Sequence, residues 1–171
     1  MKKKSILTLI TILILSQLTA QNNVKSAFLL KWENSKNYLL DIGKVMPEDT
    51  YNYKPTERQM SFEEQLHHIR ENMVWLSESY FVDAGFIKSE KITPQTKETI
   101  LKEIEIAFNK VAEIIKNVPL EDLKKEVDFF AGTKSKLQIL NLLQDHVTHH
   151  RGQLIVYLNL NSLNPPKYIG W

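Results

Sequence analysis

The amino-acid sequence predicts an all-α protein, a four-helix bundle in one domain. Apolar residues recur at spacings of three and four, which is the period of a helix, and no alternation typical of strands persists. The 171 residues include only five glycines and six prolines, the residue types that interrupt helices most strongly. They help to divide the chain into four amphipathic segments, each of which needs partners to bury its apolar side. Four such segments favour a bundle.

Residues 1–20 have the layout of a cleavable secretory signal peptide. Three lysines at positions 2–4 precede an apolar run over residues 6–15, and a more polar stretch then ends in alanine. We therefore expect a mature domain over residues 21–171, exported to the periplasm or secreted. The alternative is a retained membrane anchor, although a run of ten residues is shorter than the roughly 20 that span a bilayer.

The charge of the mature domain argues against a nucleic-acid partner. The whole chain has 22 basic and 20 acidic residues, and three of the basic ones lie in residues 1–20. Removing that segment leaves 19 basic against 20 acidic residues, a formal charge of about −1 with neutral histidines. We expect no nucleic-acid binding, and no stable membrane association after cleavage, because no basic cluster remains to bind phosphates or anionic lipids.

The chain contains no cysteine. This excludes a thiolate metal site, a cysteine nucleophile and a lipoprotein attached through cysteine. Any metal ion must therefore be bound by nitrogen and oxygen atoms.

The first helix is expected over about residues 24–45, and Pro47 ends it. The apolar residues that tend towards one of its sides are Phe28, Trp32, Leu39 and Ile42. Residues 48–59 are polar and contain Pro55, so we predict a long ordered loop there.

The second helix is predicted to begin with a capping box, in which Ser61 is the N-cap and Glu64 follows three residues later. Its apolar residues then recur at helical spacing: Phe62, Leu66, Ile69, Met73, Leu76 and Tyr80. Gly85 and the polar stretch to residue 93 end this segment.

The third helix is expected over residues 94–117, before Pro119. Its apolar stripe consists of Ile100, Ile104, Phe108, Val111 and Ile115. Residues 120–133 are predicted to form a short helical turn and an irregular connection. The fourth helix is expected over residues 135–160, with two prolines beyond it. The connections are long enough to leave the directions of the helices open.

The histidines are the candidate functional residues. They form two clusters: His67 and His68 in the second helix, and His146, His149 and His150 in the fourth. At 100° per residue, His146 and His150 point into the same apolar stripe as Leu143. Buried imidazoles need polar partners, and one metal ion can bind two imidazoles spaced four residues apart. In the plainer alternative the histidines only hydrogen-bond one another.

The second helix supplies the third candidate ligand. His68 flanks the apolar stripe of that helix, whereas His67 is rotated a further 100° onto the charged face. The helical phase therefore favours His68, with His67 as the alternative.

Two segments resemble the DinB/YfiT-like family of bacterial proteins. Residues 145–154 read DHVTHHRGQL and are similar to the last-helix signature of the family, a histidine, three residues and then His-Arg-Gly-Gln. Residues 61–69 read SFEEQLHHI and resemble its histidine segment in the second helix. The resemblance covers most of the mature chain. It implies a four-helix bundle with one divalent metal ion held by His68, His146 and His150, or by His67 in place of His68.

The resemblance implies a metal-dependent hydrolase or transferase of unknown small-molecule substrate. Three nitrogen ligands favour zinc or nickel, with iron, manganese or copper as alternatives. Some family members use low-molecular-weight thiols, which an exported protein would not readily meet. The alternative is a non-catalytic metal- or ligand-binding bundle.

Two residues near the histidines are candidates for catalysis. Tyr157 could be a proton donor or an ordinary core aromatic residue, and Arg151 could contact substrate or fix the helix end. The family type also makes a homodimer plausible.

Overall fold

The structure is a computed structural model that describes residues 2–87 and 95–171, with side chains from Val24 onwards. The main elements of this part are α1 (Lys2–Val45), α2 (Phe62–Phe81), α3 (Lys97–Asn117), β1 (Glu126–Val127), β2 (Lys134–Ser135) and α4 (Lys136–Leu160). Two short 3-10 helices, Glu48–Thr50 and Leu120–Lys124, lie in the connections. The predicted all-α class with four long helices is confirmed for the described residues.

Helix α1 begins earlier than the sequence predicts. It is continuous from Lys2 to Val45, through the segment expected to be the signal peptide. No proline or glycine precedes Gly43 in this helix, so the sequence before Gly43 contains no strong helix breaker. Cleavage at the end of residues 1–20 stays a prediction, because an apolar leader is itself able to form a helix.

Helices α2 and α4 both begin with a capping box. The backbone N–H of Glu64 donates to Ser61 Oγ at 3.1 Å, and the Ser61 N–H donates to the Glu64 carboxylate at 2.7 Å. This is the predicted start of α2. Ser135 and Gln138 form the equivalent pair at α4. Each box satisfies two N–H groups that the first turn of a helix leaves without partners.

Two connections differ from the expectations. Thr96 caps α3, so this helix begins at Lys97; the predicted start at residue 94 lies outside the described residues. The second difference lies after the short helical turn, where an irregular connection was expected. The structure has an antiparallel pair of two-residue strands there, in which Glu126 faces Ser135 and Val127 faces Lys134. Strands this short carry no periodicity that a sequence could reveal.

The four predicted apolar stripes form one core. Every predicted stripe residue of α1, α2 and α3 is buried, apart from the half-buried Tyr80. The largest of these fully buried side chains include Trp32, Phe62 and Phe108. Helices α1 and α2 each pack against both α3 and α4, so they lie diagonally across the bundle.

Ion pairs show that α2 and α3 run parallel. Arg70 pairs with Glu103 in the first half of both helices, and Glu78 pairs with Lys110 further along both. Parallel neighbours cannot be joined by a tight turn, which is consistent with the length of the sequence between Phe81 and Lys97.

Helix α1 runs antiparallel to α3. Lys25 Nζ donates to the carbonyl of Lys116 at 2.6 Å, and Lys97 Nζ donates to the carbonyl of Met46 at 2.7 Å. Helix α4 is antiparallel to α2, as the contacts of the histidines show below. The order is therefore up–down–down–up. In the part of the chain whose side chains are described, no helix is long and apolar enough to cross a membrane.

Candidate metal centre

His68 from α2 meets His146 and His150 from α4 where these two helices pack together, and all three side chains are half-buried. Each ring offers one nitrogen, and these three atoms lie within 4.8 Å of one another. The Nε2 atoms of His68 and His146 are 3.1 Å apart. The His150 ring centre lies 4.5 Å from that of His68 and 4.4 Å from that of His146. The structure thus brings together the three residues that the sequence favours.

The other two histidines lie outside this cluster. His67 Nε2 is 3.4 Å from a carboxylate oxygen of Glu63, one turn earlier on α2. His149 is exposed, and its Nε2 lies 2.9 Å from Nε2 of Gln153. His149 contacts the edge of His150 at 4.9 Å between ring centres. His67 is therefore not grouped with the candidate ligands.

Burial keeps the three clustered histidines neutral. Burial, reinforced by the neighbouring histidines, lowers the pKa of His146 from 6.5 to about 3 and the pKa of His150 to about 4. Burial also lowers the pKa of His68. A neutral imidazole has one nitrogen lone pair free for a metal ion. At pH 7 the cluster therefore offers three neutral nitrogen donors.

A divalent ion fits these donors. Two nitrogens that bind zinc at about 2.0–2.1 Å in a tetrahedral site lie about 3.3 Å apart, close to the 3.1 Å between His68 and His146. The Nδ1 atom of His146 is buried and has no hydrogen-bond partner among the described residues. The Nε2 atoms of His68 and His146 face each other, so an ion between the two rings would bind these atoms and not Nδ1 of His146.

Gln65 is a buried neighbour of the cluster that the sequence did not single out. It lies three residues before His68 on α2 and is 3% exposed. Its Oε1 is 2.6 Å from Nδ1 of His150. A glutamine in an amphipathic helix usually lies on the solvated face, so only the packing of α2 on α4 reveals this contact.

Tyr157 lies behind Gln65. Its hydroxyl donates to the carbonyl of Met60 at 2.8 Å and is 3.4 Å from Nε2 of Gln65. The side chain is 2% exposed. Because the hydroxyl proton is directed at a backbone carbonyl, the geometry favours the core-aromatic interpretation of Tyr157 over the proton donor.

Arg151 faces α1. It is 3% exposed, donates to Ser35 Oγ at 3.2 Å and lies over the ring of Tyr38 at 5.1 Å. Burial lowers the pKa of its guanidinium. These contacts give Arg151 a role in joining α4 to α1, and we therefore do not assign it a catalytic role.

Comparison with known proteins identifies the family. The DinB family model matches residues 19–168. The chain belongs to the DinB family. The resemblance predicted from the two histidine segments is confirmed.

The relatives of this DinB-family chain share its fold. It is 28% identical to the uncharacterized protein YjoA of Bacillus subtilis (strain 168) over 146 residues, which cover 80% of this chain and 88% of YjoA. Crystal structures of the DinB-like protein YjoA and of a DinB-like protein from Bacillus cereus ATCC 10987 each superpose with a TM-score of 0.71. Each is 21% identical and covers 84% of this chain and 96% of the other. At this identity the structures establish the bundle fold alone.

A cleft gives access to one side of the histidine cluster of this DinB-family protein. Its volume is about 420 Å³, and both His67 and His68 line it. The remaining lining residues come from the loop before α2 and from α2 itself: Lys54, Glu57, Arg58, Gln59, Met60, Glu64 and Glu71. The cleft is large enough for a small molecule.

Gly152 lies within the segment that matches the family signature, but it does not pack against another helix. It is exposed, and a Cβ atom at this position would meet nothing within 4 Å.

We expect the metal-free DinB-family chain to lose stability as the pH falls from about 6.5 to about 3. The folded chain disfavours protons on His146 and His150, whose pKa values it lowers to about 3 and about 4. Between pH 6.5 and these lower pKa values, the unfolded chain binds more protons than the folded chain does. The contribution of the two histidines to the free energy of unfolding is therefore fully present above pH 6.5 and is lost as the pH falls below it. Urea denaturation at a series of pH values measures this.

The matched control for this prediction is His146→Leu. It removes the most strongly affected imidazole, so its stability should depend less steeply on pH over the same range. Equal slopes for the two proteins between about pH 6.5 and about pH 4 would contradict the assignment to His146.

Proposed function

We propose that this DinB-family protein binds one divalent metal ion through His68, His146 and His150 and acts as a metal-dependent hydrolase or transferase on a small molecule. The observation that carries the proposal is the convergence of three neutral imidazoles from α2 and α4, with their nitrogens within 4.8 Å. His67 is left out as a ligand because the nitrogens that lie within 4.8 Å of one another belong to His68, His146 and His150.

The number and type of ligands support a catalytic centre. Three protein ligands leave at least one position open, whereas closed structural zinc sites use four. When bound there, the ion would lower the pKa of a water molecule towards about 7 or polarise a substrate carbonyl. Imidazole ligands suit zinc or nickel, and iron, manganese or copper are the alternatives.

The cleft supports a small-molecule substrate. It contacts the cluster on the side of His68 and carries both cations, Lys54 and Arg58, and carboxylates. Lys54 is already paired with Glu64 at 3.0 Å. These side chains can orient a polar substrate, while the buried core on the other side of the rings excludes water.

Export of the protein is part of the proposal. Its support is the charge and apolar pattern of residues 1–20 and the start of the family match at residue 19. A periplasmic or secreted enzyme would act without cytosolic thiols, so hydrolysis is the first reaction class to test. Nucleic acid is not among the proposed partners, because the mature domain is nearly neutral.

Elemental analysis of the purified chain tests the proposal. After expression with zinc and nickel supplied, we expect about one metal ion per chain, removable by a chelator and restored by reloading. The loaded and stripped forms are then compared on carboxylic esters, amides, phosphate esters and thiol-transfer substrates. Turnover that requires the metal supports an enzyme. Metal binding without turnover indicates a binding protein, and no bound metal refutes the site.

A further inference from the structure

A line of hydrogen bonds runs through the buried space behind His150. It begins at the carbonyl of Met60, which accepts from the Tyr157 hydroxyl at 2.8 Å. Nε2 of Gln65 is 3.4 Å from that hydroxyl oxygen, and Oε1 of Gln65 is 2.6 Å from Nδ1 of His150. Gln65 and Tyr157 are 3% and 2% exposed, so this line is largely shielded from water.

The chemistry of the groups fixes the direction of every bond in the line. A backbone carbonyl can only accept, so the Tyr157 hydroxyl must donate its single proton to Met60. The oxygen of Tyr157 is then available only as an acceptor, and Gln65 must turn its NH₂ group towards it. The opposite end of the amide, the Gln65 carbonyl oxygen, therefore faces His150.

A second contact holds the Gln65 amide in the same orientation. Its Nε2 also donates to Oε1 of Gln153, one helical turn before Tyr157. Both N–H groups of Gln65 thus have acceptors on α4, and its carbonyl oxygen is left for the ring of His150. Reversing the amide would place two acceptor oxygens, those of Gln65 and Gln153, against each other.

We propose that Gln65 is a positioning residue that holds His150 in the tautomer with its proton on Nδ1. Because the Gln65 oxygen can only accept, the facing nitrogen of His150 must carry the proton. The lone pair then lies on Nε2, free for the metal ion. The inference rests on the proposed function for the role of that lone pair, but the tautomer is a property of the metal-free chain.

His150 differs in this respect from the other two rings. His68 and His146 face each other through Nε2 atoms 3.1 Å apart, and either could donate to the other. Nδ1 of His146 has no partner among the described residues that would select a tautomer. Gln65 therefore prepares one ligand in advance, as outer partners of metal-bound histidines commonly do.

Nitrogen-15 NMR of the full-length, histidine-labelled, metal-free chain tests the tautomer directly. Long-range proton–nitrogen correlations should show a protonated Nδ1 and an unprotonated Nε2 for His150. In Gln65→Met, which keeps a similar volume but removes the acceptor, we expect a mixture of both tautomers. Zinc affinity, measured by competition with a chromophoric chelator, should fall about 10–100-fold.

Two further variants separate positioning from simple packing. Gln65→Glu keeps an acceptor oxygen at His150 but loses the two N–H groups that face Gln153 and Tyr157, so it should retain the protonated Nδ1 of His150 while lowering the free energy of unfolding. Gln144→Met is the control, because it makes the same change at a half-buried glutamine of α4 that has no hydrogen bond to a histidine in the described structure. It should leave the tautomer and the affinity unchanged.

If Gln65→Met fails to fold by circular dichroism, Tyr157→Phe replaces it as the test. That change removes only the hydroxyl that orients the Gln65 amide, and it should give a partial shift of the His150 tautomer. A proton on Nε2 of His150 in the wild type would overturn the proposal. An unchanged tautomer in folded Gln65→Met, or in Tyr157→Phe where Gln65→Met does not fold, would also overturn it. A wild type with the expected tautomer but no zinc binding would refute the proposed function and leave the Gln65 assignment standing.

Discussion

Replacing His146 with alanine is expected to reduce the affinity for a divalent metal ion by more than about 100-fold. Losing an outer partner of a ligand typically costs about 10–100-fold, and His146 is one of only three direct ligands in the proposed site. Its ring lies against both His68 and His150, so its loss removes a donor that contacts both of the other two. Zinc titration against a competing chelator measures the loss, and elemental analysis should find the purified variant without metal.

Adjacent histidines provide matched controls for this result. We expect His68→Ala to behave like His146→Ala, and His67→Ala and His149→Ala to bind metal as the wild type does. His67 lies beside Glu63, and His149 is exposed beside Gln153. Loss of metal in His67→Ala with retention in His68→Ala would show that the wrong histidine of α2 had been assigned. Retention in all four variants would refute the site.

Part of this cluster could be predicted because it depends on one helix alone. His146 and His150 share a face through the fixed period of α4, whatever the rest of the bundle does. His68 was harder, since it only flanks the apolar stripe of its own helix. The structure explains this: α2 packs against both α3 and α4, so its buried surface is wider than one stripe, and His68 lies on the part that faces α4.

The neighbours of the cluster show where a motif misleads. Arg151 follows His150 directly in the family signature, yet it lies about 140° from His146 around the helix and contacts α1. The helical period alone would have separated Arg151 from the cluster, although the signature made it a candidate for catalysis. Gln65 could not be found in this way, because its role comes from atoms of α4 that the sequence of α2 does not reveal.

The directions of the helices were also beyond the sequence. Both the segment between α1 and α2 and the segment between α2 and α3 are long enough to join neighbours or to return along the bundle. Ion pairs between side chains on different helices decide the order, as Arg70 with Glu103 does for α2 and α3. Such pairs form only after the apolar faces have brought the helices together.

Trp32→Ala is expected to cause the largest loss of stability, about 3–5 kcal/mol in the free energy of unfolding. Trp32 is 1% exposed and packs against Phe28 and Phe108 at ring distances of 5.3 Å and 4.6 Å. Its Nε1 also donates to the carbonyl of Phe108 at 3.0 Å. Alanine would leave a cavity between α1 and α3 and remove this bond. Urea denaturation of the metal-free variant and wild type gives the difference.

Leu30→Ala is the control on the same helix, because Leu30 is 66% exposed. This substitution should change the free energy of unfolding by less than about 0.5 kcal/mol. A loss below about 1 kcal/mol in Trp32→Ala would show that α1 does not pack as described. Since Trp32 contacts α3 and the histidines lie between α2 and α4, folded Trp32→Ala should still bind zinc with wild-type affinity. A weak site in the folded variant would mean instead that α1 supports the histidines through α4, where Arg151 joins the two helices.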